Sequence, residues 1–384
     1  MSIRRNIDTL LHKLERDFAT HNLIEVSRSA LLHNVDTFAG ISHMLVIPVL
    51  KGNAYGHGID LVATALKDRQ FPYIAVDGYF EALRIREVSD QPVLVMGAIL
   101  PENFARMKYD NFAFVVQDGA TVRALGEMGG HVKIHLECNT GFNRYGAGQD
   151  QLAGLVRLIQ RYPNLELEGV MSHLADADGN DPVTISAAVD LYDGFVEQIY
   201  AEGANPSILH IAQTLGSVQV RSKYANTIRL GIGLYGIDPF PRSHALYGIL
   251  KDTRPAMRLV STITKITELE KGEKVGYNYT FTASKKTRIG VLPLGYYEGV
   301  DRTLSNTGVV KIGDSYAPIV GRVCMNHTLI GLDGIQAAVG DRVVVYSNRR
   351  SDKNAIDNIA YEHGLFSYGL LSALSSDVRR VLVE

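Results

Sequence analysis

The stretch VIPVLKGNAYGHG (residues 46–58) joins a strongly apolar run of strand character to a lysine, and glycines, a tyrosine and a histidine follow at once. A cation at the end of a buried strand is costly unless a partner or ligand meets it. The question is therefore which fold gathers such strand ends on one face. Working outward, eight short β-type runs alternate with helical patterns: MLVIPVL (44–50), YIAV (73–76), PVLVM (92–96), FAFVV (112–116), VKIHL (132–136), EGVM (168–171), ILHI (208–211) and TIRLGI (227–232). Between them lie stretches such as GYFEALRIREVS (78–89) and SAAVDLYDGFVEQIYAEG (186–203), with apolar residues three and four apart. Alternation of this kind implies parallel strands joined by crossover helices. Eight such strands are the number a closed (β/α)8 TIM-type barrel requires, and no GxGxxG follows the first strand to support an open doubly wound sheet.

After about residue 245 the texture changes. MRLVSTITKITEL (257–269), KVGYNYTF (274–281), TRIGVLPL (287–294), GVVKIG (308–313), APIVGRV (317–323) and DRVVVYS (341–347) read as strands separated by Gly, Asn and Asp turns. This is the pattern of a mainly antiparallel β domain. The expected organisation is an N-terminal helical extension at 1–22, a barrel domain at 23–245 and a β domain at 246–384. The early run LIEV (23–26) precedes the barrel count and is a candidate addition to the second domain.

The remaining bulk features exclude several classes of function. The chain has 384 residues and a formal net charge of −2, which gives no electrostatic case for nucleic acid or an anionic membrane. Its start, MSIRRNIDTLLHKLERDF, places Ile7, Leu10, Leu11, Leu14 and Phe18 at helical spacing, as in an amphipathic helix rather than a signal peptide. No run of about 18 apolar residues predicts a membrane span. Cys138 and Cys324 lack metal-ligand spacing and suit a reducing compartment, so a cytoplasmic protein without a metal is expected.

In a (β/α)8 barrel, catalytic groups come from the C-terminal ends of the strands. Those positions read Lys51, Glu137, His173, Thr214 and Arg229. A partly desolvated lysine at such a rim is a nucleophile suited to Schiff-base chemistry, and the alternative is a solvated cap. His210, one strand before Arg229, is either its partner or a core histidine.

These motifs resemble those of alanine racemases, the fold-type III pyridoxal phosphate enzymes. VLKGNAYGHG (49–58) is similar to their cofactor-lysine segment. HLECNTGFNRYG (135–146), GVMSHLADAD (169–178), HIAQTLGS (210–217), RLGIGLYGIDP (229–239), KVGYNYTF, PLGYYEGVDR (293–302), PIVGRVCMNHT (318–328) and LFSYGLLSAL (365–374) follow in the family's order. The resemblance implies a homodimer that racemises a small amino acid, alanine first and serine as the alternative, and in a bacterial cell makes D-alanine for cell-wall peptide. It implies pyridoxal phosphate on Lys51, with Lys51 and Tyr277 of the partner subunit as the two acid/bases. It further implies Tyr55, Thr214, the N–H groups of Gly231 and Ile232, and Tyr368 at the phosphate, and His173 against the ring. Arg229 would face the pyridine nitrogen, and a permanently protonated donor there keeps that nitrogen neutral. Arg144 and the Met325 N–H match positions for the substrate carboxylate, and Tyr296 matches a tyrosine narrowing the access path.

The pattern also breaks. Glu137 stands where many members carry a lysine that becomes carbamylated, and the expectation is that Glu137 holds Arg144 directly and makes carbon dioxide unnecessary. Thr214 replaces a serine, Asn139 and Asn326 replace aspartates, Phe142 replaces a methionine, and Ser-Tyr-Gly at 367–369 replaces the usual Tyr-Glu. Competing readings are a fold-type III decarboxylase, a pyridoxal phosphate-binding protein without turnover, and a cofactor-free barrel hydrolase.

Overall fold

A computed structural model describes residues 18–107, 111–179 and 181–384. The expected helix at the chain start lies outside those residues. The eight parallel strands are β2 (Leu45–Pro48), β3 (Ile74–Val76), β4 (Val93–Val95), β5 (Phe112–Val116), β6 (Val132–Glu137), β7 (Leu165–Met171), β8 (Ile208–His210) and β9 (Thr227–Leu230). Strands β3 to β8 run as one six-stranded sheet in sequence order, and β2 pairs with β9. Parallel bridges Val49–Ala75 and Gln213–Arg229 join the two sets and close the barrel. Its interior is filled by Ile47, Val49, Tyr73, Ala75, Leu94, Ala113, Val115, Met171 and Ile208, the alternate inward positions of these strands.

Helices α1 (Arg28–Ser42), α2 (Ile59–Leu66), α3 (Tyr79–Val88), α4 (Gly119–Gly126), α5 (Gln149–Gln160) and α6 (Pro182–Ala201) carry the chain around the barrel. Ser27, Asp118 and Asp181 cap α1, α4 and α6 by accepting a bond from a first-turn N–H group. After β4, β8 and β9 the described residues form only short 3-10 turns, at Pro101–Arg106, Gly216–Val218 and Ile232–Tyr235. The glycine-containing runs there give no amphipathic stretch long enough for a helix.

The second unit is mainly antiparallel. One sheet of six runs β16 (Ser315–Pro318), β15 (Val309–Ile312), β18 (Arg342–Tyr346), β10 (Met257–Thr262), β1 (Leu23–Ser27) and β19 (Arg380–Val383). A second sheet orders β11 (Lys265–Leu269), β14 (Thr287–Leu292) and β17 (Thr328–Gly331), and β12 (Lys274–Val275) pairs with β13 (Phe281–Thr282). Against the expected linear spans, contacts group Val26–Met257 with Asn348–Ala373, and Arg258–Ser347 with Leu374–Val381 and the described part of Met1–Glu25. The run LIEV becomes the interior strand β1 of the six-stranded sheet. The helices α7 (Ile356–His363) and α8 (Ser367–Ser372) count with the barrel unit. Among the described residues no helix is long and apolar enough to cross a membrane.

Candidate active site

Lys51 lies just beyond β2, half-exposed, with its Nζ 3.7 Å from Asp77 Oδ1. The chain then makes a left-handed turn: φ is 63° at Gly52, 54° at Asn53 and Ala54, and 50° at Tyr55. Such a conformation costs L-residues about 1–2 kcal/mol each, less for Asn, so three successive non-glycine residues hold it only with support from outside. The turn delivers the Tyr55 ring between Tyr235 and Tyr368, with centroids at 5.1 and 6.1 Å. Burial, and then the negative charge of Asp77, push the Tyr55 hydroxyl up to about 12, so it is a neutral donor at physiological pH.

That hydroxyl meets the start of the Ile232–Tyr235 turn. A Cβ on Gly231 would fall 2.8 Å from Tyr55 Oη and 3.9 Å from Thr214 Oγ1. Only glycine leaves this space open. Thr214 is buried and its hydroxyl accepts from the Gly233 N–H at 3.2 Å. The Gly231 and Ile232 N–H groups lie ahead of the first bond inside the turn, from Leu234 N to Gly231 O. Two hydroxyls and a glycine backbone thus come together as neutral donors suited to anionic oxygens. Tyr368, on α8, stacks on Phe366 and is likewise held neutral by burial.

Arg229 is only 3% exposed and every contact it makes is to an acceptor. Nη1 donates to His210 Nδ1 and to the His210 carbonyl, both at 2.8 Å. Nη2 donates to the Ser172 carbonyl at 2.6 Å and to His173 Nδ1 at 3.1 Å. Burial lowers the guanidinium to about 10, against the opposing charge of Glu137, and it stays protonated at neutral pH. Because both Nδ1 atoms accept, both histidines carry their proton on Nε2. Burial and the positive charges of Arg229, Arg144 and Lys51 push His173 down to about 3. His210 then donates to His135 Nδ1, 2.7 Å away, and His135 Nε2 stands 3.7 Å from Glu168 Oε2. Glu168 also takes bonds from Lys133 (2.5 Å) and Tyr73. Burial alone would raise the Glu168 carboxyl, yet these donors bring it to about 2.

Arg144 sits in the loop between β6 and α5, exposed, with its guanidinium carbon 4.4 Å from the centroid of the Phe142 ring. That ring meets His173 edge-on at 5.3 Å. Among the described residues no ion pair or hydrogen bond joins Arg144 to Glu137. The direct hold expected of Glu137 is therefore not formed; a cation–π contact to Phe142 takes its place. Glu137 is buried at the end of β6, where burial raises its carboxyl against the lowering charges of Arg229 and then Arg144. Asn139 keeps its loop without a charge: its Oδ1 accepts from the Gly141 and Asn143 N–H groups at 3.0 and 3.1 Å.

The remaining expected residues lie on the second unit. Tyr277 opens a 3-10 turn between β12 and β13 and is 66% exposed. Tyr296 and Tyr297 donate their N–H groups to the Cys324 and Met325 carbonyls, both at 3.0 Å. Gly295 permits this approach, since a Cβ there would meet Cys324 O at 2.0 Å. Asn326 donates to Glu298 Oε1 at 2.7 Å, and an aspartate in its place would set two carboxylates together. Sequence reasoning missed Glu81, Arg84, His135 and Glu168. For Glu81 the signal was present, an acidic residue three places after Gly78 at a helix start.

Together these features define a class: barrel enzymes that seat an anionic cofactor at the C-terminal rim of the strands. The family model of the alanine racemase N-terminal domain matches residues 26–239, and that of the alanine racemase C-terminal domain matches 256–382. Alanine racemase 2 of Caldanaerobacter subterraneus subsp. tengcongensis is 31% identical over 369 residues, 94% of each chain. The alanine racemase of Sorangium cellulosum is 28% identical over 378 residues, 94% of this chain and 98% of the relative. The solved alanine racemase of Clostridium difficile 630 superposes with a TM-score of 0.87 at 25% identity, covering 96% of this chain and 97% of that one. The chain belongs to the alanine racemase family, whose members depend on pyridoxal phosphate. The residues present suit that group: an amine at the rim, and the neutral hydroxyls of Tyr55 and Thr214 beside a Gly231 backbone that a Cβ would crowd.

Proposed function

We propose that this chain interconverts L- and D-alanine in the cytoplasm, with pyridoxal phosphate on Lys51, as a homodimer that completes each site with Tyr277 of the partner subunit. When bound, the cofactor supplies an electron-withdrawing ring that makes the α-hydrogen of the amino acid acidic. Tyr55, Thr214, Tyr368 and the N–H groups of Gly231 and Ile232 hold its phosphate with neutral donors. Lys51 moves a proton on one side of the α-carbon and the phenol of Tyr277 moves one on the other. Arg144 and the Met325 N–H take the substrate carboxylate, charge-assisted pairing suiting the guanidinium. Glu137 acts on Arg144 through its field rather than by contact, and Tyr296 narrows the access path.

The observation that carries this reading is the setting of Arg229. A guanidinium held between two neutral histidines keeps its protons, so a pyridine nitrogen seated beside Arg229 would stay neutral, and the bound ring would be a weaker electron sink that favours return of the proton. The dimer is supported by the exposed Tyr277, Tyr279, Tyr296, Tyr297 and Met325 of the second unit, an apolar set a partner surface would cover.

Incubation of the cofactor-loaded chain with L-alanine in D2O tests the proposal. Loss of optical rotation together with α-deuterium incorporation is expected. Release of carbon dioxide would mark a decarboxylase, and absence of exchange would mark a binding protein; either overturns the reading.

A further inference from the structure

Helix α3 reaches the Lys51 turn from the side. Glu81, in its first turn, accepts at Oε1 from the Gly52 N–H at 2.7 Å and the Asn53 N–H at 3.4 Å. Its Oε2 accepts from the Asp77 and Gly78 N–H groups at 3.0 and 3.3 Å. One carboxylate thereby closes the starts of two turns of opposite hand. A left-handed turn, like any helix, opens with N–H groups that have no partner inside it. Here the first internal bonds are Ala54 N to Leu50 O at 2.8 Å and Gly56 N to Gly52 O at 3.1 Å. Arg84, three residues further along α3, donates to Asn53 Oδ1 at 3.3 Å and grips Asp60 through Nε and Nη2 at 3.1 and 2.7 Å. The same Asn53 oxygen accepts from the Ile59 N–H at 3.1 Å.

We infer that Glu81 and Arg84 are positioning residues that hold residues 52–55 in the left-handed form and so set the spacing between the Lys51 amine and the Tyr55 hydroxyl, the two ends of the cofactor grip. The inference rests on the assignment of the cofactor to Lys51. An ionised carboxylate suits the task because it only accepts, and it meets N–H groups on both sides. An amide at position 81 turns its NH2 toward one pair of N–H donors, so it serves one turn and opposes the other. With no side-chain acceptor, Asn53, Ala54 and Tyr55 have less strained conformations open to them, and each displaces Lys51 relative to Tyr55. A carboxylate that merely capped α3 would alter stability and leave the cofactor untouched.

The test uses the full-length chain reconstituted with pyridoxal phosphate, as wild type, Glu81→Gln, Glu81→Ala and Arg84→Gln. Cofactor affinity by absorbance titration and the visible circular dichroism of the bound cofactor are read beside the melting temperature of the cofactor-free chain. Glu81→Gln is expected to weaken cofactor binding about tenfold, the loss of a hydrogen bond to a charged group, with Glu81→Ala losing more and Arg84→Gln a few-fold. The visible band should shrink in the same order. A lowered melting temperature with wild-type affinity and an unaltered band makes Glu81 a cap of α3 only and overturns the inference. Should Glu81→Ala fail to fold, Arg84→Gln, which leaves the carboxylate in place, decides alone: unchanged affinity there overturns it. Borohydride reduction and peptide mapping of the wild type come first. A label absent from Lys51 refutes the cofactor assignment itself, an outcome distinct from a labelled wild type whose variants behave identically.

Discussion

Replacing Gly231 by alanine puts one methyl among the groups assigned to the phosphate. The new Cβ would stand 2.8 Å from Tyr55 Oη and 3.5 Å from its Cζ, closer than carbon and oxygen tolerate, with Thr214 Oγ1 at 3.9 Å. Tyr55 cannot withdraw freely, because its ring packs against Tyr235 and its backbone is fixed in the left-handed turn. The phosphate therefore loses the Tyr55 hydroxyl, or the Gly231 N–H, or both. A hydrogen bond to a charged group contributes about 1.5–3 kcal/mol, so losing one weakens cofactor binding by about 10- to 150-fold. Titration of the cofactor-free variant with pyridoxal phosphate, followed by absorbance, measures this directly. The melting temperature of the cofactor-free chain should fall as well, because the methyl meets the Tyr55 hydroxyl whether or not the cofactor is bound. Affinity equal to wild type would refute the placement of the phosphate beside Gly231.

Other outcomes follow from the same geometry. Tyr277→Phe should abolish deuterium exchange from one enantiomer of alanine while the other still exchanges through Lys51; equal loss from both would remove Tyr277 from the chemistry. Glu137→Gln should raise KM for alanine about two- to fivefold, the size of an ion-pair effect without direct contact, and bicarbonate should leave the wild-type rate unchanged. A bicarbonate-dependent wild type would show that Glu137 does not stand in for a carbamylated lysine. The Glu168 carboxyl, lowered from 4.5 to about 2 in the folded chain, stabilises it above about pH 4.5, and that contribution is lost as pH falls toward 2. Glu168→Gln should flatten the acid limb of stability measured by urea unfolding from pH 6 downward, and an unchanged limb would contradict the anchoring of Glu168 by Lys133 and Tyr73.

Much of this molecule is legible without coordinates, and the residues say why. Alternation of β-branched runs with helical spacing is a local property, so the eight strands lie where the apolar runs lie. Lys51, Glu137 and Arg229 declare themselves because a charge at or near the end of an apolar strand has few inexpensive fates. Asn139 for aspartate changes little, since the turn uses only a carbonyl oxygen that both side chains carry.

The primary sequence by itself settled the parallel barrel, the antiparallel unit, the lysine at the rim and the family. Tertiary structure alone decided which side chains share hydrogen bonds. Arg229 finds His210 and His173 only because β7, β8 and β9 lie side by side. Arg144 rests on Phe142 instead of Glu137 because the β6–α5 loop turns that way. The left-handed turn after Lys51 is held by a carboxylate about thirty residues further on. The physical reason is range: periodicity and propensity act over a few residues and fix faces and elements. Hydrogen bonds between elements depend on strand order and on the closure of the barrel, which no local pattern records.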